Sequence, residues 1–175
     1  QEVKNFFDLP DEIKQSYEIE GIGGQRGYTS FGKESAKGKK QGDLKEFWHF
    51  GQEVENNDTL KAEYPNNVIV KELPNFNIIG MEAYKMLEKT AIYLLRALAL
   101  YIGLEETYFD KYVINGNSIL RPIYYPQIVG EPKGAVRAAA HGDINLITLL
   151  MGASASGLEV QNKKGKWIPV TSLPE

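Results

Sequence analysis

The sequence contains no cysteine and only two histidines among its 175 residues. Without cysteine the chain has no disulfide, no thiolate metal site and no cysteine nucleophile. Long hydrophobic runs are also missing. The longest apolar region, Ala91–Leu104, is interrupted by Arg96 and is too short to span a bilayer. We therefore expect a buried helix there and no association with a membrane.

An excess of charge of one sign is absent as well. The 20 basic and 23 acidic residues leave a formal net charge of -3, which favours no polyanionic partner such as nucleic acid. The first residues show no signal-peptide pattern. Together with the lack of cysteine, this predicts a cytoplasmic protein. The composition does not indicate an oligomeric state.

The glycine-rich stretch 19–46 resembles two phosphate-binding motifs but matches neither. In Gly21–Gly27 the third glycine is out of register for a dinucleotide-binding loop, and Gly32–Lys40 lacks the spacing and the final Ser or Thr of a P-loop. We interpret residues 19–46 as a long solvated loop. Because loops of this length are usually functional, Arg26 and Tyr28 are candidate substrate-binding residues.

Helical patterns occupy the first part of the chain and strand patterns the last part. Residues 1–17 predict two short helices separated near Pro10, and apolar residues at three- and four-residue spacing predict a long helix over Asn75–Gly103. After Gly116 short alternating segments predict strands, and 157–169 predicts a hairpin. This order indicates an α+β fold in which helices cover an antiparallel barrel or jelly roll.

The main candidate site is formed by His141 and Asp143. In an extended strand, side chains at i and i+2 project to the same face, so this imidazole and this carboxylate can converge on one point. They would supply two of the three ligands in a 2-His-1-carboxylate site for non-haem Fe(II). The triplet alone is more typical of a hydrogen-bonded histidine beside a Gly-Asp turn. The small residues Ala138–Ala140 and the apolar run Leu146–Leu150 favour a metal site on a buried strand.

Two aromatic segments accompany this motif. Lys45–Phe50 predicts a short strand, in which His49 lies between aromatic neighbours and is interpreted as structural or substrate-facing, not as a metal ligand. Ser118–Tyr125 alternates along a second strand. The alternation places Arg121, Ile123 and Tyr125 on one face and Leu120 and Tyr124 on the other.

Three groups of residues occur in a specific order and spacing. They are 6–14 with Gly27-Tyr28 and Lys45–Trp48, then the paired-tyrosine segment Leu120–Pro126, and finally 141–150 with 157–160 and 166–170. From about Phe6 to Pro174 the chain resembles the isopenicillin N synthase-like branch of the iron(II)/2-oxoglutarate-dependent dioxygenases. Each group alone is weakly specific, and the combination is highly specific.

This resemblance implies N-terminal helices packed on a distorted double-stranded β-helix, a jelly roll, with one Fe(II) at its open end. His141 and Asp143 match two of the metal ligands, and Tyr125 matches the tyrosine that contributes to the 2-oxoglutarate site. The implied reaction uses Fe(II), 2-oxoglutarate and O2 to oxidise a C–H bond of a small molecule, with release of succinate and CO2. Hydroxylation, desaturation or cyclisation is expected, and the carboxylate of Asp143 disfavours halogenation.

Two other functions remain open at this point: a 2-oxoglutarate-independent oxidase of the same fold, and a non-catalytic metal- or ligand-binding barrel. The family's second metal histidine and its 2-oxoglutarate-binding arginine lie on strands later than those in this chain. We therefore expect an internal portion of a longer polypeptide, inactive by itself. Residues 1–115 would form the helical region, and 116–175 the first part of the β-helix core, incomplete at its C-terminal end.

Overall fold

The chain folds into helices and antiparallel strands arranged in two compact units, Gln1–Ile144 and Asn145–Glu175. The computed structural model describes residues 1–35, 41–54, 59–60, 64–130, 134–151 and 156–171. The first unit holds the helices and a four-stranded sheet, and the second holds a two-stranded sheet, which confirms the α+β class. The domain boundary between residues 115 and 116 stays a prediction.

Two short helices open the chain on either side of Pro10, as predicted. Helix α1 spans Glu2–Phe7 and helix α2 spans Asp11–Gln15. Pro10 is the N-cap residue of α2, a position where its missing N–H costs the helix no hydrogen bond. Helix α1 places Phe6 and Phe7 in the interior of the first unit.

The long helix α3 spans Pro74–Tyr101, and the short helix α4 spans Asp110–Val113. A proline in the first turn begins α3, because its N–H would lack an intrahelical partner in any case. Gly103, just beyond the C-terminal end, has φ +77° and supplies the left-handed conformation that commonly follows a helix. The predicted helix over Asn75–Gly103 is confirmed to within two residues at each end.

The second half of α3 differs from the expected buried helix over Ala91–Leu104. Leu95 and Ala99 are buried, but several large apolar side chains of the same stretch are exposed. These are Tyr93, Leu94, Leu98, Leu100, Tyr101 and Ile102. The stretch is apolar on nearly all faces, so its periodicity did not identify the single stripe that packs inward. Among the described residues, no helix is both long and apolar enough to cross a membrane.

The four-stranded sheet is built around its second strand. Strand β1 spans Gly27–Thr29, β2 spans Glu46–Gly51, β3 spans Ile119–Leu120 and β4 spans Ile123–Tyr124. All pairings are antiparallel: β1, β3 and β4 each pair with β2. The predicted aromatic strand is therefore confirmed as β2, the strand that all the others contact.

Strand β1 was not predicted, because it lies within the stretch 19–46 that was expected to be a loop. Three residues are too few to produce a visible alternation, and the strand exists through its pairing of Tyr28 with Trp48. Gly27 begins it with φ +76°, and a Cβ there would lie 2.5 Å from the carbonyl oxygen of Tyr17. Only glycine fits this close approach without strain. Residues 36–40 of the expected loop lie outside the described residues.

Aromatic side chains fill the core between the helices and β2. Phe6 is at the centre, and its ring contacts those of Phe7, Tyr17, Tyr28, Trp48 and Phe76 at centroid distances of 4.8 to 6.5 Å. Such edge and stacked contacts add to the free energy gained by burial of the rings.

The two faces of segment 118–125 separate as predicted. Leu120 packs against the aromatic core, and the Tyr124 ring stacks on Phe7 with a centroid distance of 5.3 Å. On the opposite face, the Arg121 guanidinium lies 4.3 Å from the centroid of the Phe47 ring. The face of β2 that carries Phe47 and His49 is therefore distinct from the face that packs on the helices.

The second unit contains the predicted hairpin. Strand β5 spans Glu159–Gln161 and β6 spans Trp167–Pro169. In the turn, the Asn162 side-chain oxygen accepts hydrogen bonds from the backbone N–H groups of residues 164 and 166, and Gly165 has φ +77°. The asparagine and the glycine therefore form the turn in the way their positions predicted.

Candidate metal centre

His141 and Asp143 lie close together near the end of the first unit. The His141 Nε2 atom is 3.6 Å from Asp143 Oδ1, and both side chains are about half exposed, at 57% and 51%. The backbone that carries them is not part of a sheet, since residues 134–151 include no strand. The expected buried strand is therefore wrong for the described residues, and Leu146 and Leu150 are exposed. A strand requires a ladder partner, and none of the described residues pairs with this segment.

The His141 ring is oriented by a short local contact. Its Nδ1 atom lies 2.8 Å from the carbonyl oxygen of Ala139. A carbonyl oxygen only accepts hydrogen bonds, so Nδ1 is the donor of this contact, and in the neutral ring the lone pair is on Nε2, the nitrogen that faces Asp143. Gly142, between the two side chains, borders open space, since a Cβ there would meet nothing within 4 Å.

This pair of donors fits a divalent first-row metal ion. A neutral imidazole nitrogen and a carboxylate oxygen are two of the three protein ligands in the facial site of non-haem Fe(II) proteins. A hydrogen bond from the second ring nitrogen to a backbone carbonyl is also the usual arrangement for a metal-bound histidine. Among the described residues, no group of three His, Asp or Glu side chains is placed to hold a metal ion. The structure thus supplies two ligands and not the third.

Tyr125, the candidate 2-oxoglutarate contact, lies beside the segment that leads to His141. The Arg137 guanidinium is 5.8 Å from the centroid of the Tyr125 ring, a cation–π distance, and the tyrosine is partly exposed at 37%. The structure therefore places the paired-tyrosine segment beside the residues that precede His141. The role of Tyr125 in binding a cosubstrate stays a prediction.

His49 is buried and hydrogen-bonded on both ring nitrogens, which confirms its interpretation as a packed residue. Nδ1 contacts the carbonyl oxygen of Gly24, and Nε2 accepts a 2.5 Å hydrogen bond from Arg121 Nε. Burial, and then the positive charge of Arg121, lower the pKa of His49 to about 4. The ring is therefore neutral near pH 7 and has no free lone pair for a metal ion.

Arg26 and Tyr28, the candidate substrate-binding residues, are both buried in the first unit. The Tyr28 hydroxyl donates to the Glu46 carboxylate, and burial followed by this contact raises the pKa of Tyr28. Arg26 is fully buried against Gly51, and its Nη1 donates to the Gln25 carbonyl oxygen at 2.7 Å. Its Nε and Nη2 atoms have no hydrogen-bond partner among the described residues. Contact of these residues with a substrate stays a prediction.

A charge network near the candidate metal site, with Asp43 and Lys45 buried and Glu34 and Arg121 partly exposed, was not predicted. Lys45 Nζ lies 2.9 Å from Asp43 Oδ2 and 2.8 Å from Glu34 Oε2, and Arg121 Nη1 lies 3.3 Å from the same Glu34 oxygen. Burial opposes the charge of Lys45, but the two carboxylates outweigh it and hold the pKa of Lys45 above its ordinary value. Most of these residues are far apart in sequence. The spacing Asp43-x-Lys45 before a strand is the one local pattern that could have indicated the network.

The sequence and the fold agree with one group of known proteins. Residues 1–72 match the family described as non-haem dioxygenase in morphine synthesis, N-terminal. A 2-oxoglutarate-Fe(II) type oxidoreductase of Aspergillus fumigatus is 29% identical over 181 residues, which cover 98% of this chain and 54% of that protein. These similarities support the iron(II)/2-oxoglutarate-dependent dioxygenase superfamily for this chain, as its motifs indicated.

Two solved structures are similar over nearly the whole chain. A 2OG-Fe(II) oxygenase family protein from Caulobacter crescentus is 42% identical with a TM-score of 0.86, covering 99% of this chain and 55% of that one. A full-length Neurospora crassa protein in complex with alpha-KG is 30% identical with a TM-score of 0.78, covering 98% of this chain and 51% of that one. The same protein was also solved with alpha-KG and thymine. The chain therefore spans about half the length of the relatives it matches.

Proposed function

We propose that the complete protein is a non-haem Fe(II)- and 2-oxoglutarate-dependent oxygenase that oxidises a C–H bond of a small molecule. The observation that carries this proposal is the position of His141 Nε2, 3.6 Å from Asp143 Oδ1, with the other ring nitrogen engaged by the Ala139 carbonyl. When bound there, Fe(II) would supply open coordination positions and redox chemistry for 2-oxoglutarate and O2, with succinate and CO2 as coproducts.

The residues of this chain would hold and orient the reacting groups. The Asp143 carboxylate would balance part of the metal charge, and the Ala139 carbonyl would keep the His141 lone pair directed at the metal. Tyr125 would contact 2-oxoglutarate through its partly exposed phenol ring, next to Arg137. Strands β3 to β6, which follow residue 115, would be the first strands of a distorted double-stranded β-helix.

The substrate would be a small molecule. The half-exposed His141 and Asp143 side chains are open to a ligand, and the related Neurospora crassa protein binds thymine together with alpha-KG. We include Arg26 and Tyr28 in the proposed substrate side of the protein. The two unpartnered nitrogen atoms of Arg26 support this, because a buried guanidinium without partners is costly unless another group satisfies it.

The proposal is tested by anaerobic addition of Fe(II) and then 2-oxoglutarate to the longest polypeptide that carries this chain. The visible metal-to-ligand charge-transfer band is recorded for the unaltered protein, for His141→Ala and for His49→Gln. His49 is the matched control, because it is the other histidine of the chain and both of its ring nitrogens are already engaged. We expect the band in the unaltered protein and in His49→Gln, and its loss in His141→Ala.

Each other outcome has a distinct meaning. Binding of Fe(II) without a 2-oxoglutarate band would overturn the cosubstrate assignment in favour of an oxidase. A band that survives in His141→Ala would show that this histidine is not a ligand. If the unaltered polypeptide binds no Fe(II), the proposed activity is wrong and a non-catalytic barrel is the better description.

A further inference from the structure

The segment before His141 is hydrogen-bonded to Asp43 and Leu44, the residues that precede β2. The Leu44 N–H donates to the Val136 carbonyl oxygen at 2.9 Å, and the Ala139 N–H donates to Asp43 Oδ1 at 3.2 Å. Asp43 and Ala139 are both buried, at 5% and 7% exposure. Because residues 134–151 form no strand, these two hydrogen bonds replace a sheet ladder along this part of the segment.

Asp43 is itself held in place by the charge network, which also contains Lys45, Glu34 and Arg121. Its second oxygen, Oδ2, accepts from Lys45 Nζ at 2.9 Å, and Lys45 is fixed in turn by Glu34 at 2.8 Å. Glu34 also contacts Arg121, which lies over the Phe47 ring of β2. The two oxygens of Asp43 therefore have separate partners, one from the network and one from the His141 segment.

The Ala139 residue links this network to the metal ligand. Its N–H is held by Asp43, and its carbonyl oxygen accepts from His141 Nδ1 at 2.8 Å. The His141 side chain is 57% exposed, so packing alone does not fix its ring. A displacement of Ala139 would therefore remove the contact that selects the Nδ1–H tautomer and directs Nε2 at Asp143.

We propose that Asp43 is a positioning residue for the metal ligand His141, acting through the backbone of Ala139. This inference rests on the proposed function for the identity of the metal, but the orientation of the ring is a property of the metal-free chain. Outer partners of metal-bound histidines change metal affinity by about 10- to 100-fold when they are removed. Asp43 acts through Ala139 and does not contact the ring itself. We therefore expect its removal to lower the Fe(II) affinity by about 10-fold, the lower end of this range.

The test compares Asp43→Asn with Glu46→Gln in the full polypeptide. Lys45 and Ala139 donate to different oxygens of Asp43, and asparagine replaces one of these oxygens with an NH2 donor, so one of the two contacts is lost. Glu46 is the matched control: it is a buried carboxylate paired with a lysine, Lys14, in the same part of the chain. Two quantities are measured, the Fe(II) dissociation constant under anaerobic conditions and the 15N shifts of the His141 ring in the metal-free protein.

We expect the unaltered protein to show His141 protonated at Nδ1, the tautomer that a solvated histidine disfavours. Asp43→Asn should shift the ring toward a mixture of tautomers and weaken Fe(II) binding about 10-fold. Glu46→Gln should lower stability without changing either quantity. The inference is overturned if Asp43→Asn leaves the ring shifts unchanged, or if both variants weaken Fe(II) binding equally.

A further measurement covers the case in which Asp43→Asn does not fold. In the unaltered protein the Ala139 amide should exchange slowly with solvent, because its acceptor is buried. Fast exchange at Ala139, or a His141 ring protonated at Nε2, would overturn the positioning role without any variant. Absence of Fe(II) binding in a protein with slow exchange and Nδ1–H would instead contradict the proposed function and leave the orienting contact intact.

Discussion

At the scale of single residues, His49 shows how burial decides a side chain's charge. Its ring accepts a hydrogen bond from Arg121 and contacts the Gly24 carbonyl, a combination that suits only the neutral form. Protonation would place two positive groups against each other in the interior. The residue therefore stabilises the fold only while it is uncharged.

The requirement for a neutral His49 ring predicts that the stability of the fold depends on pH. The dependence should appear at pH values above those at which carboxylates titrate. The folded-state pKa of His49, about 4, lies below the ordinary value of 6.5, so between these values the unfolded chain binds more protons and stability falls as the pH decreases. Between about pH 7 and about pH 5 we expect a loss of about 2 kcal/mol in the free energy of unfolding, measured with urea.

The control for this prediction is His49→Gln, which cannot titrate. Its free energy of unfolding should be lower near neutral pH and should change much less over the same interval. Equal pH dependence in the two proteins would contradict the prediction. His141, the other histidine of the chain, is unchanged in the variant, so any contribution from it cancels.

Single residues also mark the limit of what the sequence could reveal about the candidate site. The proximity of His141 and Asp143 was predicted from their two-residue spacing, although the strand assumed in that prediction is absent among the described residues. The role of Asp43 was not, since its contact with Ala139 joins residues 96 positions apart. No local pattern encodes a contact of that separation, and a single sequence holds no trace of it.

At the scale of elements, α3 and β2 meet at a glycine. A Cβ on Gly80 would lie 2.3 Å from the Phe50 ring, far inside van der Waals contact. Helix propensity favours Gly80→Ala by about 1 kcal/mol, whereas overpacking of a close-packed core costs about 1–3 kcal/mol. We expect the clash to win, so Gly80→Ala should lower the free energy of unfolding.

The second variant in this test is Gly80→Ala combined with Phe50→Leu. Leucine removes the ring atoms that the new methyl group would meet, so the glycine substitution should cost less in the Phe50→Leu background than alone. A double-mutant cycle on urea unfolding measures this difference. If Gly80→Ala stabilises the unaltered protein, propensity outweighs packing and the described contact is not close.

Elements with a strong periodic pattern were predictable, and those that depend on a distant partner were not. Helix α3 and the β5–β6 hairpin follow from apolar spacing and from turn residues such as Asn162. Strand β1 was missed because it is defined by its pairing with β2. The strand expected around His141 is absent among the described residues for the same reason: an extended segment becomes a strand only when a neighbour completes its ladder.

At the scale of the whole first unit, a buried ion pair attaches the N-terminal helices to the sheet. Lys14 of α2 lies 3.0 Å from Glu46 of β2, and both side chains are 5% exposed. Loss of one partner leaves an uncompensated buried charge, which costs about 3–5 kcal/mol. We expect Lys14→Met to lower the free energy of unfolding by about 3 kcal/mol in urea titrations.

The pair is distinguished from an exposed one by two further variants. Lys14→Met with Glu46→Gln removes both charges and should recover part of the loss, because glutamine is neutral and still accepts from Tyr28. Lys4→Met breaks the exposed pair with Asp8 and should leave the free energy of unfolding nearly unchanged. Equal losses for Lys14→Met and Lys4→Met would show that burial adds nothing to the interaction.

The two faces of β2 have a consequence for how such a protein can change. Trp48 and Phe50 face the helices, whereas Phe47 and His49 face Arg121 and the charge network that ends at Ala139. Alternate positions of one strand therefore have different neighbours, one set the aromatic core and the other Arg121 and the charge network. A library that varies Trp48 and Phe50 would therefore disturb the contacts with the helices, whereas one that varies Phe47 and His49 would disturb the contacts with Arg121.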